Sequence, residues 1–486
     1  MRRCPIRPAP MMRRRDLVSV GMICLAQMSM TLGWNWAVQW NELLMEAACT
    51  SRGLAFPSTG CNESHEAQHE ASLREGWMAL AIAWPNFFTI GVITGVADAT
   101  GRKGATMVAL SGMLIYMLCL WLIPLNGEFC VRGWCVENYW AALSIVSVSS
   151  LTGGSSAALA VMFAVLGDVS VGMGAKERTR LYVVLEVFQW VGTTLSPLSA
   201  VEVARRFGSI RASFGFFSCC IACSIALVAA FPETLPPERS RPFSWRRASP
   251  FGQVWIFFQH PVLLRFAIVW GPPLCLGGAF ASATGNLYLM DIANFSNLQL
   301  GQLATVTSLA GTCALAFGLP LQLSCGLSTR TIIITATWLG SLLSIAWAFL
   351  PCVQSQTLIT AVVYAGALLS CDAHVLAPVI RSLFTALSLS GEVEAPVAAI
   401  LGAMSTYIAA VRLWAPALGN VIYAYLVSRD RVCYGYYGAA GCALTGCVVM
   451  CTLPALGEIE RKAKATLPVV GAVGAAEQEP LLTVSS

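Results

Sequence analysis

Twelve blocks of mainly apolar residues constrain this chain more than any other feature of its sequence. Each block has about the 20 residues that an α-helix needs to cross ~30 Å of hydrocarbon. Only 11% of the residues are charged, whereas soluble proteins carry roughly 25%, so a soluble globule is excluded. The pattern predicts an all-α, polytopic membrane protein. The predicted spans are residues 17–38, 76–96, 105–125, 139–166, 181–200, 213–231, 263–289, 302–323, 331–350, 357–378, 396–418 and 434–453.

A segment rich in proline and arginine divides the predicted spans into two sets of six. It contains no apolar block, so we interpret it as a linker between two helical bundles. The predicted organisation is an N-terminal segment 1–16, a six-helix bundle 17–231, a linker 232–262, a six-helix bundle 263–453 and a tail 454–486.

The distribution of basic residues predicts the orientation of the chain. If the N-terminus is cytoplasmic, most of the 30 Lys and Arg residues lie on the cytoplasmic side, as the positive-inside rule requires. Arg381 then falls in the predicted cytoplasmic loop after the tenth span. Both termini, the linker and the tail are predicted to be cytoplasmic. The apolar block at 17–38 exceeds a secretory h-region and is expected to stay as the first span.

The predicted external loops contain candidate modification sites. Asn62 and Asn294 each begin an N-x-S sequon and are candidate glycosylation sites. Cys49, Cys61, Cys130 and Cys135 lie in external loops, where disulfides are permitted, so they are the disulfide candidates. The net charge of +5 is spread among loops without a basic stripe, so we expect no nucleic-acid partner.

The loop after the second span carries the most specific motif. Gly95-Val96-Ala97-Asp98-Ala99-Thr100-Gly101-Arg102-Lys103 resembles the signature loop between helices two and three of the major facilitator superfamily. The resemblance implies two six-helix bundles and a cytoplasmic latch. By this resemblance Asp98, Gly101, Arg102, Lys103 and Asp168 would act in gating.

A narrower resemblance concerns the fifth span. Gly167-Asp168-Val169-Ser170 and Leu185-Glu186 resemble the helix 4–5 region of proton-coupled folate transporter relatives and of fungal and tetracycline-type carriers. The resemblance implies that Glu186 takes part in proton coupling. Phe231-Pro232-Glu233-Thr234-Leu235 is similar to the end of their sixth helix, and Pro378-Val379-Ile380-Arg381-Ser382 is similar to their helix 10–11 loop.

Polar residues inside the predicted spans are further site candidates, because ionisable groups at membrane depth usually face a cavity or a partner. Gln189 lies three residues after Glu186 on the same face, and Asp372 and His374 could form a second titratable step. Arg412 could bind an anionic group of a substrate or neutralise Glu186 or Asp372. Hydrogen bonds and ion pairs between helices are the alternative roles for all five.

A His-Glu-x-x-His sequence precedes the second span. His65-Glu66-Ala67-Gln68-His69 matches the zinc-protease pattern. The external segment is too short for a protease domain with a third ligand, so we favour a solvated helix over a metal site.

The sequence therefore predicts a transporter and not an enzyme, with no cofactor and no metal. We expect a monomer that moves a small organic solute by alternating access, with protons as the second partner and in the manner of a symporter. A proton-driven drug or metabolite antiporter and a non-transporting solute receptor are the alternatives. The tail sequence Glu477-Gln478-Glu479-Pro480-Leu481-Leu482 resembles an acidic dileucine signal, so an endosomal or vacuolar membrane stands beside the plasma membrane as the predicted location.

Overall fold

Long helices dominate the computed structural model of the chain. It describes residues 14–34, 37–53, 64–131, 134–170, 175–235, 242–270, 285–286, 288–325, 329–389 and 397–427, and the single positions 237, 240, 327, 429, 441, 444, 445 and 448. The predicted twelfth span lies almost wholly outside the described residues. The protein is an all-α integral membrane protein, as its sequence predicts.

In the first part of the chain, the described residues form eight helices and one hairpin. They are α1 (Arg14–Leu32), α2 (Ala37–Ser51), α3 (His65–Thr100), α4 (Arg102–Leu122), β1 (Glu128–Val131), β2 (Trp134–Glu137), α5 (Asn138–Ser150), α6 (Gly154–Val169), α7 (Ala175–Phe207) and α8 (Arg211–Ala230).

The second part begins with short helices in the predicted linker. They are α9 (Trp245–Ala248), α10 (Pro250–Trp255) and a 3-10 turn, Ile256–Gln259. The helices that follow are α11 (Pro261–Trp270), α12 (Asn297–Cys313), a π-helical turn (Ala314–Gly318), α13 (Leu319–Ser324), α14 (Thr329–Ala348), a 3-10 turn (Leu350–Cys352), α15 (Gln356–Leu369), a 3-10 turn (Ser370–Val375), α16 (Leu376–Leu389) and α17 (Val397–Val427).

Five helical segments of the described residues are long and apolar enough to cross a membrane. They are Glu66–Thr100, Arg102–Leu122, Asn138–Val169, Arg211–Ala230 and Leu298–Gln322. Shorter apolar stretches occur in Leu17–Leu32, Gln356–Leu369, Ala399–Val411 and Leu418–Val427. All but one of these stretches fall on predicted spans; Leu418–Val427 extends beyond residue 418, where the eleventh span is predicted to end.

The structure corrects three boundaries drawn from hydropathy. The first span does not run to residue 38, because α1 ends at Leu32 and a separate helix, α2, follows. The external loop that was expected before residue 76 is largely helical, since α3 already begins at His65. The helix at the end of the tenth predicted span does not stop at residue 378, because α16 continues to Leu389. Arg381 therefore lies in a helix and not in a loop, contrary to the prediction.

Helix α3 packs along α17 and so joins the first part of the chain to the second. Near one end the Ser72 hydroxyl donates to the Asn420 carbonyl oxygen at 2.9 Å. Near the other end Gly402 leaves space for Thr94, whose hydroxyl oxygen would lie 2.9 Å from a Cβ at position 402. The contact thus extends over both ends of the membrane-spanning part of α3.

The β1–β2 hairpin connects α4 to α5 and pairs Cys130 with Cys135 across the two strands. These two cysteines form a disulfide. Cys49 is also disulfide-bonded, whereas its candidate partner Cys61 lies outside the described residues.

Glycine allows α4 to approach the turn that follows α5. A Cβ at Gly112 would overlap the Thr152 hydroxyl and the Ser149 carbonyl oxygen, whereas a Cβ at Gly104 in the same helix would meet nothing within 4 Å. We expect Gly112→Ala to destabilise the protein by about 1–3 kcal/mol through overpacking. Gly104→Ala should be neutral or stabilising, by up to about 1 kcal/mol, because alanine is the better helix former.

Thermal unfolding of both variants in detergent checks this pair. Equal changes in the unfolding temperature of the two variants would contradict the close approach of α4 to the turn between α5 and α6.

Candidate functional site

The predicted latch residues meet where α3 ends and α4 begins. The Arg102 guanidinium donates to Asp98 at 2.6 Å and to Asp168, at the end of α6, at 2.9 Å. Arg102 is buried, with 5% of its side chain exposed. Charge-assisted hydrogen bonds of this kind are about twice as strong as neutral ones, so the cluster ties three helices together at one end of the bundle.

Glu233, which follows α8, holds the N-terminus of α4. Its carboxylate accepts from the backbone N–H of Arg102 at 2.9 Å and of Lys103 at 3.1 Å. Gly101 makes this approach possible: its φ is +120°, and a Cβ there would lie 2.5 Å from a Glu233 oxygen. A carboxylate at a helix N-terminus satisfies orphan amides and complements the helix dipole.

Burial of the Glu233 carboxyl would raise its pKa, but four backbone N–H hydrogen bonds outweigh this effect and lower the pKa below its usual 4.5. A lowered pKa in the folded state means that the charged cap stabilises the fold above pH 4.5 and that this stabilisation is lost as the pH falls through the lowered value.

We expect Glu233→Gln to cost about 0.5–2 kcal/mol at neutral pH, the usual range for lost caps. The difference from the wild type should shrink below pH 4.5, because the carboxyl is then protonated in the unfolded chain and increasingly so in the folded one. Unfolding temperatures measured from about pH 7 down to about pH 3 check this. A difference that stays constant over that range would show that the charge of Glu233 contributes nothing.

An ion pair joins Glu186 of α7 to Arg381 of α16. Glu186 has 1% and Arg381 has 13% of its side chain exposed. The Arg381 guanidinium also lies over the Phe163 ring, 4.1 Å from its centroid, and the Tyr182 ring packs 5.6 Å from Phe163. Two opposite charges are thus buried beside an aromatic pair, where each charge depends on the other for its compensation.

Two further contacts continue along the same face of α7. Trp190 and Thr194 follow Glu186 at intervals of four residues, and so lie one and two turns from it. The Trp190 ring packs on His374, with 3.9 Å between ring centroids. The Thr194 hydroxyl lies 3.4 Å from that of Thr312 in α12. One face of α7 therefore contacts the second part of the chain through an ion pair, an aromatic pair and a hydroxyl pair.

Irregular backbone surrounds His374. It lies in the 3-10 turn that interrupts the tenth span, and its ring packs against Gly311 just before the π-helical turn in the eighth span. A Cβ at Gly311 would overlap this ring. Interrupted helices commonly form the binding sites of transporters. We therefore include His374 and the two irregular turns beside it in the candidate site.

The remaining predicted site residues are placed as follows. Gln189 accepts a hydrogen bond from Gln27 of α1 at 3.2 Å. Asp372 and Arg412 lie in helical segments, but their side chains are outside the described residues.

The His-Glu-x-x-His sequence occupies the first turns of α3. Arg52 pairs with Glu66 at 3.6 Å and with Glu70, and His69 is half-buried. The side chain of His65 is outside the described residues. The one group of potential metal ligands among the described side chains is Glu128, Cys130 and Cys135, and its two cysteines are in the disulfide.

Of the two predicted glycosylation sequons, the structure describes the asparagine of one. Asn294 is exposed and adopts a left-handed φ of 49° in the turn before α12, a conformation that asparagine tolerates. Asn62 lies outside the described residues. Both remain candidate glycosylation sites.

The sequence alone does not identify Arg381, Glu233 and Trp190 as residues of the site. The hydropathy pattern ends the tenth predicted span at Pro378 and so assigns Arg381 to a loop. Glu233 and Trp190 acquire their roles from residues far away in the chain, and a single sequence contains no signal for such pairs.

Solved membrane transporters share this fold at low sequence identity. The human organic anion transporter MFSD10 (TETRAN) aligns with a TM-score of 0.65 and 16% identity, over 90% of this chain and 100% of its own. A mutant of the nucleoside transporter NupG aligns at 0.58 and 11%, over 89% and 99%. A POT family transporter in complex with 5-aminolevulinic acid aligns at 0.56 and 14%, over 89% and 95%.

No protein-family model and no curated protein matches the chain. The structural likeness extends over nearly the whole chain, which contains the loop whose sequence resembles the superfamily signature. The chain therefore has the major facilitator fold, as the motif around Asp98 predicts.

Proposed function

We propose that the protein transports a small organic anion across the membrane by alternating access, and that the Glu186–Arg381 pair couples this movement to protons. The observation that carries the proposal is the buried ion pair between α7 and α16. These helices belong to the two predicted six-helix bundles, so the pair bridges the parts that would rock against each other.

The chemistry of the pair favours coupled movement of a proton and an anion. A proton on Glu186 removes the charge that compensates Arg381. The guanidinium would then be buried without a partner, which is costly. A carboxylate or phosphate on the substrate restores the pairing, since guanidinium groups bind such groups bidentately. Proton binding and anion binding would thus support each other at one site.

The neighbouring contacts give the rest of the proposed cycle. The Arg102 cluster and the Glu233 cap would latch the cytoplasmic end while the solute is bound on the other side. His374 would provide the second titratable step that the sequence suggests, and Asp372 and Arg412 stay candidates beside it. The description of MFSD10 as an organic anion transporter agrees with an embedded arginine as the anion site.

Uptake into proteoliposomes tests the proposal. Labelled organic anions and neutral nucleosides are offered with and without an inward proton gradient. We expect accumulation of at least one anion, faster with the gradient. An uptake rate that is the same with and without the proton gradient would refute the coupling to protons. Uptake of neutral solutes alone would refute an organic anion as the substrate.

A further inference from the structure

The segment between α8 and α11 has a buried and an exposed face. Ala248 and Gln253 of its short helices and Phe257 of the following turn are buried. Ala248 packs on α3 at Gly91, where a Cβ would overlap the Ala248 carbonyl oxygen. The Phe257 ring packs 5.1 Å from that of Tyr407 in α17. The buried face therefore contacts both partners of the α3–α17 contact.

The buried face also fills the space between α3 and α17. The Gln253 side-chain oxygen would lie 3.1 Å from a Cβ at Gly402 of α17, and its Cγ 2.9 Å from a Cβ at Gly91 of α3. A cavity of about 40 Å³ remains beside it, lined in part by Asp98, Arg247 and Ala399. The segment acts as a wedge against the end of α3 that carries the Arg102 cluster.

The opposite face consists of exposed aromatic side chains. Trp245 is 70%, Phe251 79%, Trp255 63% and Phe258 58% exposed. Two exposed arginines, Arg246 and Arg247, directly follow Trp245 in the chain, and Arg247 also lines the cavity. Four large aromatic side chains would be unfavourable in water, and aromatic residues interspersed with arginines are typical of segments that lie in the membrane interface.

The position of the segment supports this placement. α8 ends at Ala230 and the apolar helix α11 begins at Pro261, three residues after Phe258. The end of the segment at Phe258 is therefore held near the membrane surface, and Ala248 holds its beginning against α3. On the predicted cytoplasmic side that surface is negatively charged and attracts basic residues that lie close to it.

We infer that the segment from Trp245 to Phe258 binds the anionic lipid surface of the cytoplasmic leaflet, and that this binding strengthens the wedge between α3 and α17. The aromatic side chains enter the interface, and Arg246 and Arg247 pair with anionic headgroups. The lipid would then favour the state in which the cytoplasmic end is closed. Lipid binding by the segment does not depend on the proposed function; only the interpretation of the closed state as a step of transport does.

Hydrogen–deuterium exchange of the full chain in nanodiscs tests the inference without measuring transport. The nanodiscs contain phosphatidylcholine alone or phosphatidylcholine with phosphatidylserine. We expect phosphatidylserine to slow exchange in the amides of residues 245–258 by a factor on the order of five per arginine. Exchange at the start of α17, residues 397–404, should slow with it. Equal exchange in the two lipids would overturn the inference.

Paired arginine variants separate this effect from general charge effects. Arg246→Gln/Arg247→Gln should lose the response to phosphatidylserine. Arg205→Gln/Arg206→Gln removes an exposed arginine pair at the predicted external end of α7, and should keep the response. A loss in both double variants, or in neither, would contradict the assignment. Exchange in the middle of α3, unchanged in all samples, verifies that the variants are folded.

Discussion

Arg381→Gln is expected to abolish gradient-driven uptake and to lower the free energy of unfolding by about 3–5 kcal/mol, because it leaves the Glu186 carboxylate buried without its partner. Glu186→Gln should likewise abolish accumulation driven by a pH gradient, since the group that takes up the proton is gone. It should spare exchange of substrate across the membrane, a step that needs no net proton movement.

The double variant Glu186→Gln/Arg381→Gln distinguishes pairing from simple damage. With both charges removed, we expect most of the lost stability to return, while coupled uptake stays absent. Thermal unfolding and uptake in proteoliposomes measure the two effects separately. A double variant as unstable as the sum of the single variants would show that the two side chains do not form a pair.

Arg102→Gln is expected to have the second large effect, because it leaves two carboxylates, Asp98 and Asp168, close together without their cation. The arrangement held together by the Arg102 ion pairs should lose about 3–5 kcal/mol, the cost of breaking a buried pair. We expect faster hydrogen exchange at the ends of α3 and α6 and a loss of net uptake.

Two controls accompany the Arg102 variant. Lys103→Gln removes a neighbouring charge, but the contact with Glu233 is made by the backbone N–H of Lys103, so this variant should have a small effect. Arg102→Gln combined with Asp98→Asn and Asp168→Asn removes all three charges and should restore much of the lost protection. If the triple variant exchanges as fast as Arg102→Gln, electrostatic pairing does not explain the protection at the ends of α3 and α6.

The parts of the candidate site formed by residues close together in the sequence could be predicted from the sequence. Asp98 and Arg102 are one helical turn apart in sequence, so the loop motif alone indicated their relation. Glu186 stood out because a carboxylate is rare among apolar residues. Its partner could not be found in this way, since 194 intervening residues separate it from Arg381, and the hydropathy pattern placed Arg381 outside the membrane.

The sequence by itself determined that the chain is a membrane protein with long helices, because burying apolar side chains in lipid and satisfying backbone hydrogen bonds are requirements that each segment meets alone. Only the tertiary structure decided which helices meet. The partners of Glu186, Trp190 and the α4 N-terminus come from distant helices, and their contacts depend on how those helices are packed and rotated. Short-range sequence patterns do not specify this packing. The close approaches at Gly91, Gly101 and Gly112 show where the packed helices leave no room for a Cβ.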